Sequence, residues 1–281
     1  MNKREEKGEG EARAVAAMQR SATLTLPPFD WRRAFWHAAL MLAFAALMAW
    51  AWRGAEMQPA ALFANLENSV LFAQGFARPD FSSWRECLEQ MAVTLHMALW
   101  GSLLAVVTAV PLGLMASANL SPWWLRQPVR RGLDALRAIN EMVFAFVFMV
   151  AVGLGPFAGA LALFVHTTGV LGKLFSEAVE SIDPRPVEGI RATGANWLEE
   201  IVWGVIPQVL PMWTSYALYR FESNVRSATA VGIVGAGGIG YLLYERFRIY
   251  DYGMVAAILL LIVATVTVID VLSSWLRQKA I

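Results

Sequence analysis

The chain is poor in charge and in the residues from which catalytic and metal centres are built. Only 16% of its 281 residues are Asp, Glu, Lys or Arg, against about 25% in an ordinary soluble domain. The net charge of +1 gives no reason to expect nucleic acid as a partner. One cysteine, Cys87, cannot close an intramolecular disulfide and lies near no Cys or His pair with ligand spacing. The three histidines, His37, His96 and His166, are scattered over apolar runs and read as packed or interfacial side chains rather than metal ligands. No G-x-x-x-x-G-K-[ST] loop is present, so the chain has no phosphate cradle for ATP. Ser, His, Asp and Cys form no cluster of the kind a membrane hydrolase or acyltransferase needs. What abounds is apolar: 57% of residues are hydrophobic, 12 are Trp, and the mean hydropathy is +0.48. That balance points to a bilayer as solvent.

A helix needs about 20 apolar residues to cross the hydrocarbon core. Ala34 to Trp52 carries no Asp, Glu, Lys or Arg, and "FW" at 35–36 and "WAW" at 50–52 bracket its apolar run. It comes after some thirty polar residues and so reads as a retained anchor behind a segment 1–33. A segment 53–90 leads to the second span, Met91 to Ala118, with Pro111 inside it. Met142 to Gly172 is uncharged but short for two crossings and is broken by "GLGP" at 153–156. If that break is a tight turn, the third span starts near Leu133 and Glu141 sits within it. Arg137, one helical turn earlier, is then the expected ion-pair partner of Glu141, and that pair either holds the helix or serves transport. A fifth span covers about Ile201 to Tyr219, and a sixth about Met254 to Ser274. The expected fold is all-α, a polytopic membrane protein with about six transmembrane helices and a core over 91–281. Arg and Lys concentrate in 1–33, 119–137, 173–200 and 275–281. By the positive-inside rule these segments, and with them both termini, are cytoplasmic. Arg220, Arg226, Arg246 and Arg248 fall on the other side, in a segment read as an outer loop from 220 to 253.

"GAGGIG", Gly235 to Gly240, matches G-x-G-x-x-G. A dinucleotide site also needs a βαβ unit and an acid about twenty residues on, and an open sheet cannot stand in lipid. This motif runs into a membrane span near Met254. Its glycines instead permit non-helical backbone beside a cavity and close helix approach.

Between the fourth and fifth spans lies a cytoplasmic loop, 177–207, containing "DPRPVEGIRATGANWLEEIVWGVIP". Gly194 allows a positive φ between two short helices, and Asn196 is placed to cap the second. A helix-turn-helix knob results. Its residues resemble the E-A-A-x-x-x-G-x9-I-x-L-P loop of ABC importer permeases: Glu188, Gly194 and Pro207 match, Ile206 stands at the leucine, and Gly189, Ile190 and Gly204 depart. Five stretches widen the likeness: "AVGLGPFAG" (151–159), "HTTGVLGKL" (166–174), "EAVESIDPRPVEGIRATGA" (177–195), "IPQVLP" (206–211) and "LYRFESNVRSATAVGIVGAGGIG" (218–240). Together they are similar to the permeases of phosphonate importers and their phosphite and hypophosphite relatives. "INE" at 139–141 differs from the Ile-Pro-Glu of many phosphonate members.

The resemblance implies a type I ABC importer permease core, like that of the methionine and maltose importers, in a bacterial inner membrane. It implies a second copy of the chain, two ATPase subunits that bind ATP and Mg, and a periplasmic binding protein. The chain itself would carry no cofactor and no enzymatic activity. Glu188, Gly189, Arg191, Gly194, Ile206 and Pro207 would couple to the ATPase. An oxyanion crossing lipid needs Arg, backbone amides and neutral donors in place of water. Glu222, Asn224, Arg226 and Ser227, with Gly235, Gly237, Gly238 and Gly240 at a periplasmic-side gate within 222–240, are the candidates. Arg226 either meets the anion or only ties the span through Glu222 at i,i+4. A secondary transporter or a membrane enzyme acting on a phosphorus compound is the competing expectation, and neither explains the knob.

Overall fold

The computed structural model describes residues 31–60 and 66–280. The segment expected at 1–33 lies outside these residues up to position 30. The chain divides into two units, Met1–Leu66 and Glu67–Ile281. In the first, α1 (Trp31–Gly54) is apolar and uncharged between Arg33 and Arg53, long enough to span and exposed along its length. Trp36, Trp50 and Trp52 stand on its surface.

The second unit contains α2 (Leu66–Phe76), α3 (Trp84–Ala116), α4 (Trp123–Ala138), α5 (Glu141–Val152), α6 (Pro156–Glu180), α7 (Pro184–Ala192), a single turn α8 (Trp197–Glu199), α9 (Ile206–Val231), α10 (Gly238–Arg248) and α11 (Tyr252–Ala280). No strand occurs among the described residues. Together with α1, the described residues hold four helices long and apolar enough to cross a membrane, or six if each of two bent pairs counts as one span.

The centre is the α3–α6 pair. Gly101, Ala105, Ala109 and Gly113 recur every fourth residue along one face of α3. A Cβ at Gly101 would lie 2.8 Å from the Leu163 Cβ, and one at Gly113 2.7 Å from the Phe175 Cβ. With no hydrophobic driving force between helices in lipid, such close backbone approach is what gains dispersion contacts. Trp213 of α9 stacks on Phe175 at 4.7 Å and donates its indole N–H to the Phe175 carbonyl. α9 thereby closes the third side of the core.

Two departures from the sequence-based expectations have local causes. The third span is not one helix: α4 ends at Ala138, and α5 starts at Glu141 after a bend of 92°. Asn140 caps α5, its side chain accepting from the Met142 N–H at 2.9 Å, so a new helix begins where a continuing one was expected. The fifth span also runs further than expected. α9 continues to Val231, which puts Arg220, Glu222 and Arg226 in a helix and confines the irregular backbone to 232–237.

Candidate coupling and translocation site

The knob is built from caps. α6 ends at Glu180, and Asp183 opens α7 by accepting the Arg185 N–H at 3.0 Å, with Pro184 at the first helical position. The prolines of "DPRP" therefore start a helix, because proline lacks only an N–H that the first turn leaves unpaired anyway. Gly194 adopts φ +87° at the end of α7, a conformation that favours glycine. Asn196 and Glu199 then form a reciprocal capping box, at 3.1 and 2.8 Å, that opens the next turn.

One contact braces this knob internally and another ties it to α9. Arg191 grips Glu200 with both arms of its guanidinium, at 2.9 and 2.8 Å. That bond holds the Glu200 carboxyl below the usual carboxylate range, as the Arg185 side chain does for Asp183. Gln208 donates to the Gly204 carbonyl at 2.7 Å and the Asp183 carbonyl at 3.2 Å, and accepts from the Asp183 N–H at 3.1 Å. Two of the three positions that depart from the family pattern, Ile190 and Gly204, meet here. A Cβ on Gly204 would come within 3.1 Å of Val187 and 3.4 Å of the Ile190 side chain. Bulk absent at 204 is supplied by the isoleucine at 190, so the contact is kept with its two sides exchanged. Glu188, Gly189, Trp197, Leu198 and Trp203 remain exposed. Pro207 and Ile206 form the first turn of α9.

Higher on α9, two faces carry polar groups. One meets α3, α5 and α6. Asn224 is 1% exposed; it accepts from the Thr167 hydroxyl at 2.9 Å and donates to the Ser102 hydroxyl at 2.8 Å. Ser102 and Thr167 lie near the midpoints of α3 and α6, which puts Asn224 at mid-span. One turn on, Ser227 donates to the Glu141 carboxylate at 2.7 Å. His166 approaches the same carboxylate at 3.7 Å and bonds the Ile139 carbonyl at 2.9 Å. The expected Arg137–Glu141 pair is not made. Arg137 lies before the break, where the backbone bends away, and pairs with Asp134 at 3.0 Å.

The other face meets α11. Arg226 pairs with Glu222 at 3.0 Å, as the i,i+4 spacing predicts, and also with Asp270 at 3.4 Å. Arg277 approaches Glu222 at 3.6 Å. Asp270, 41% exposed, is the outer member of this network.

The glycine segment closes the end of α9. Gly235, Gly237 and Gly238 have φ of +115°, +81° and +72°, and the chain turns 58° into α10. Gly240 packs on the Thr229 carbonyl so closely that no Cβ fits, and Thr94 of α3 accepts the Ile239 N–H at 2.9 Å. No strand accompanies the motif among the described residues, so the βαβ unit of a dinucleotide site is not formed there.

Sequence reasoning missed Glu200, Gln208, His166, Arg220, Asp270 and Arg277. Asn140 carried a readable signal, a capping residue directly before an apolar run.

Residues 109–281 match the family described as binding-protein-dependent transport system inner membrane component. The chain belongs to that family. It is a transporter subunit, the multi-pass membrane component of an ABC importer, and not an enzyme. Such a component works with ATP-binding subunits and a substrate-binding protein. Among relatives, the phosphite transport system permease protein PtxC of Stutzerimonas stutzeri is 37% identical over 269 residues, 95% of this chain and 97% of the relative. A permease protein of Escherichia coli, whose name assigns it to a cryptic phosphonate transport system, is 64% identical over 121 residues, 43% of this chain and 99% of the relative. A solved structure of the MetNI methionine ABC transporter in inward-facing conformations matches with a TM-score of 0.62 at 22% identity, covering 69% of this chain and 95% of that one. The all-α, type I importer core is thereby established.

Proposed function

We propose that this permease carries phosphonate or a related reduced phosphorus oxyanion, phosphite or hypophosphite, inward across a bacterial inner membrane. The observation that carries the substrate class is the 37% identity to a phosphite transport permease over nearly the whole of both chains. Two copies of the chain form the pathway, both termini face the cytoplasm, and the Glu188 to Pro207 knob docks on the ATPase subunits that bind ATP and Mg. The exposed Glu188 and Trp197 on a knob braced by Arg191–Glu200 and Gln208 support that role.

When the ATPases close, the knob moves as a rigid lever. Because Gln208 joins it to α9 and the π-helical stretch Glu200–Val205 runs directly into that helix, the motion is passed to α9 and swaps access between the two sides. The Gly235–Gly240 turn is the outer gate, where absence of side chains permits tight closure. Glu222, Asn224, Arg226 and Ser227 line or support the pathway, and the binding protein supplies most of the selectivity.

The test is ATP hydrolysis and uptake by the assembled complex in liposomes, with binding protein and a panel of phosphonate, phosphite, hypophosphite and phosphate. Stimulation by one of the first three above phosphate is expected. Indifference to every compound removes the substrate, and uptake without ATPase subunits removes the coupling.

A further inference from the structure

We propose that Arg220, beside the break between α4 and α5, takes the phosphorus oxyanion in transit, and that Arg226 does not. This rests on the substrate class proposed above. Arg226 already faces two carboxylates, Glu222 and Asp270. Arg220 faces none within ion-pair distance among the described residues, and its Nε–H is enclosed with no acceptor. An enclosed donor without a partner is costly, and a guanidinium is the donor best shaped to grip two oxygens of a tetrahedral anion.

Its surroundings fit a passing anion. Arg220, Asn224 and Ser227 recur at i, i+4 and i+7 and so share one face of α9, the face turned to the break. Glu141 lies within electrostatic reach of Arg220, but one of its oxygens accepts from the Ser227 hydroxyl and the other stands 3.7 Å from the His166 ring. The carboxylate thus balances the arginine when no anion is present and repels an anion when one arrives. That repulsion keeps the site weak, which a transit site needs if its ligand is to leave. The Ser227 hydroxyl stands at the same carboxylate as a neutral donor that can turn to an oxyanion as it displaces Glu141.

The deciding experiment uses the whole complex in liposomes, with initial uptake of radiolabelled phosphite and methylphosphonate and hydrolysis measured without substrate. Arg220→Gln is expected to slow uptake at least tenfold in complexes that assemble in wild-type yield. Arg220→Lys, which keeps the charge and loses the fork, is expected at an intermediate rate. The double variant Arg220→Gln, Glu141→Gln separates transport from bracing: charge balance restored without recovery of uptake supports the site. Recovery in the double variant, or uptake by Arg220→Gln within twofold of wild type, overturns it. Should Arg220→Gln not assemble, Arg220→Lys decides, and undiminished uptake there overturns the proposal. A wild-type complex that imports no phosphorus oxyanion defeats the substrate class itself, with this inference, whereas a variant unaffected against an active wild type defeats the inference alone.

Discussion

Arg191 and Arg226 each hold a glutamate, and the medium around them makes the two pairs different devices. The Arg191 guanidinium stands largely in solvent, 65% exposed, with both Glu200 oxygens satisfied by one fork. Water competes for the guanidinium but hardly for the carboxylate, whose side chain is 10% exposed, so the pair adds direction and only a modest energy. Arg226 belongs to a chain of charges, Asp270, Arg226, Glu222 and Arg277, strung between two spans. There each group relies on the others, because lipid offers no replacement. On the proposed function, we therefore expect the knob to matter for coupling more than for folding, and the middle of α9 to matter for the stability of the permease itself.

The largest effect that sharpens this contrast comes from Glu222, whose side chain is only 12% exposed. Glu222→Gln leaves Arg277 without its acid and Arg226 with Asp270 only. We expect a loss of roughly 3 kcal/mol, the low end of what breaking a buried pair costs, measured as detergent unfolding of the isolated permease. No loss would show that water reaches this network and that it is not a structural part of the span.

Next is Asn224→Leu, which strands the Thr167 and Ser102 hydroxyls. Two interhelical hydrogen bonds in a membrane are together worth about 1–2 kcal/mol, read in the same unfolding assay. Transport should fall with stability, since α9 then loses its link to α3 and α6 at mid-span.

These two sites also show what was readable beforehand. The Glu222–Arg226 pair comes from helical spacing alone, and Gly194 and Asn196 announce their turn and cap by residue type. The spans were legible because lipid imposes length and apolarity together. Glu141 was different. Its partner Ser227 is distant in sequence, and the assumption that put Arg137 beside it required a continuous helix. Asn140 ends that continuity, and which distant hydroxyl then meets Glu141 depends on how α5, α6 and α9 pack, which no local pattern encodes. The exchange of bulk between Ile190 and Gly204 was hidden for the same reason: each residue alone reads as a departure from the family pattern, and only their contact makes them one feature.

On the knob, Glu188→Lys should leave unfolding unchanged, because Glu188 is exposed. It should weaken ATPase docking about tenfold, near 1.4 kcal/mol, by reversing a charge on the docking face. Co-purification across a titration of ATPase subunit checks this. An equal drop in permease stability would mean that Glu188 braces the fold and would erase the contrast.

The smallest effect is the pH response of the Arg191–Glu200 fork. Glu200 titrates below its ordinary value in the folded knob because Arg191 bonds its charged form. At pH values between the folded and unfolded pKa the unfolded chain binds more protons, so stability rises with pH there. The contribution is complete above the ordinary glutamate range and is lost as pH falls through the depressed folded value. Arg191→Ala should remove that acid sensitivity together with the contribution itself, lowering the stability of the knob modestly at neutral pH, while the Gln208 bonds and the capping box still hold the turn. The fluorescence of Trp197 and Trp203, tracked from pH 7 downward in single-tryptophan backgrounds, reports the knob directly. If the variant and the parent lose their signal at the same pH, the fork is not what fixes the lever, and the rigidity required of it must come from Gln208 alone.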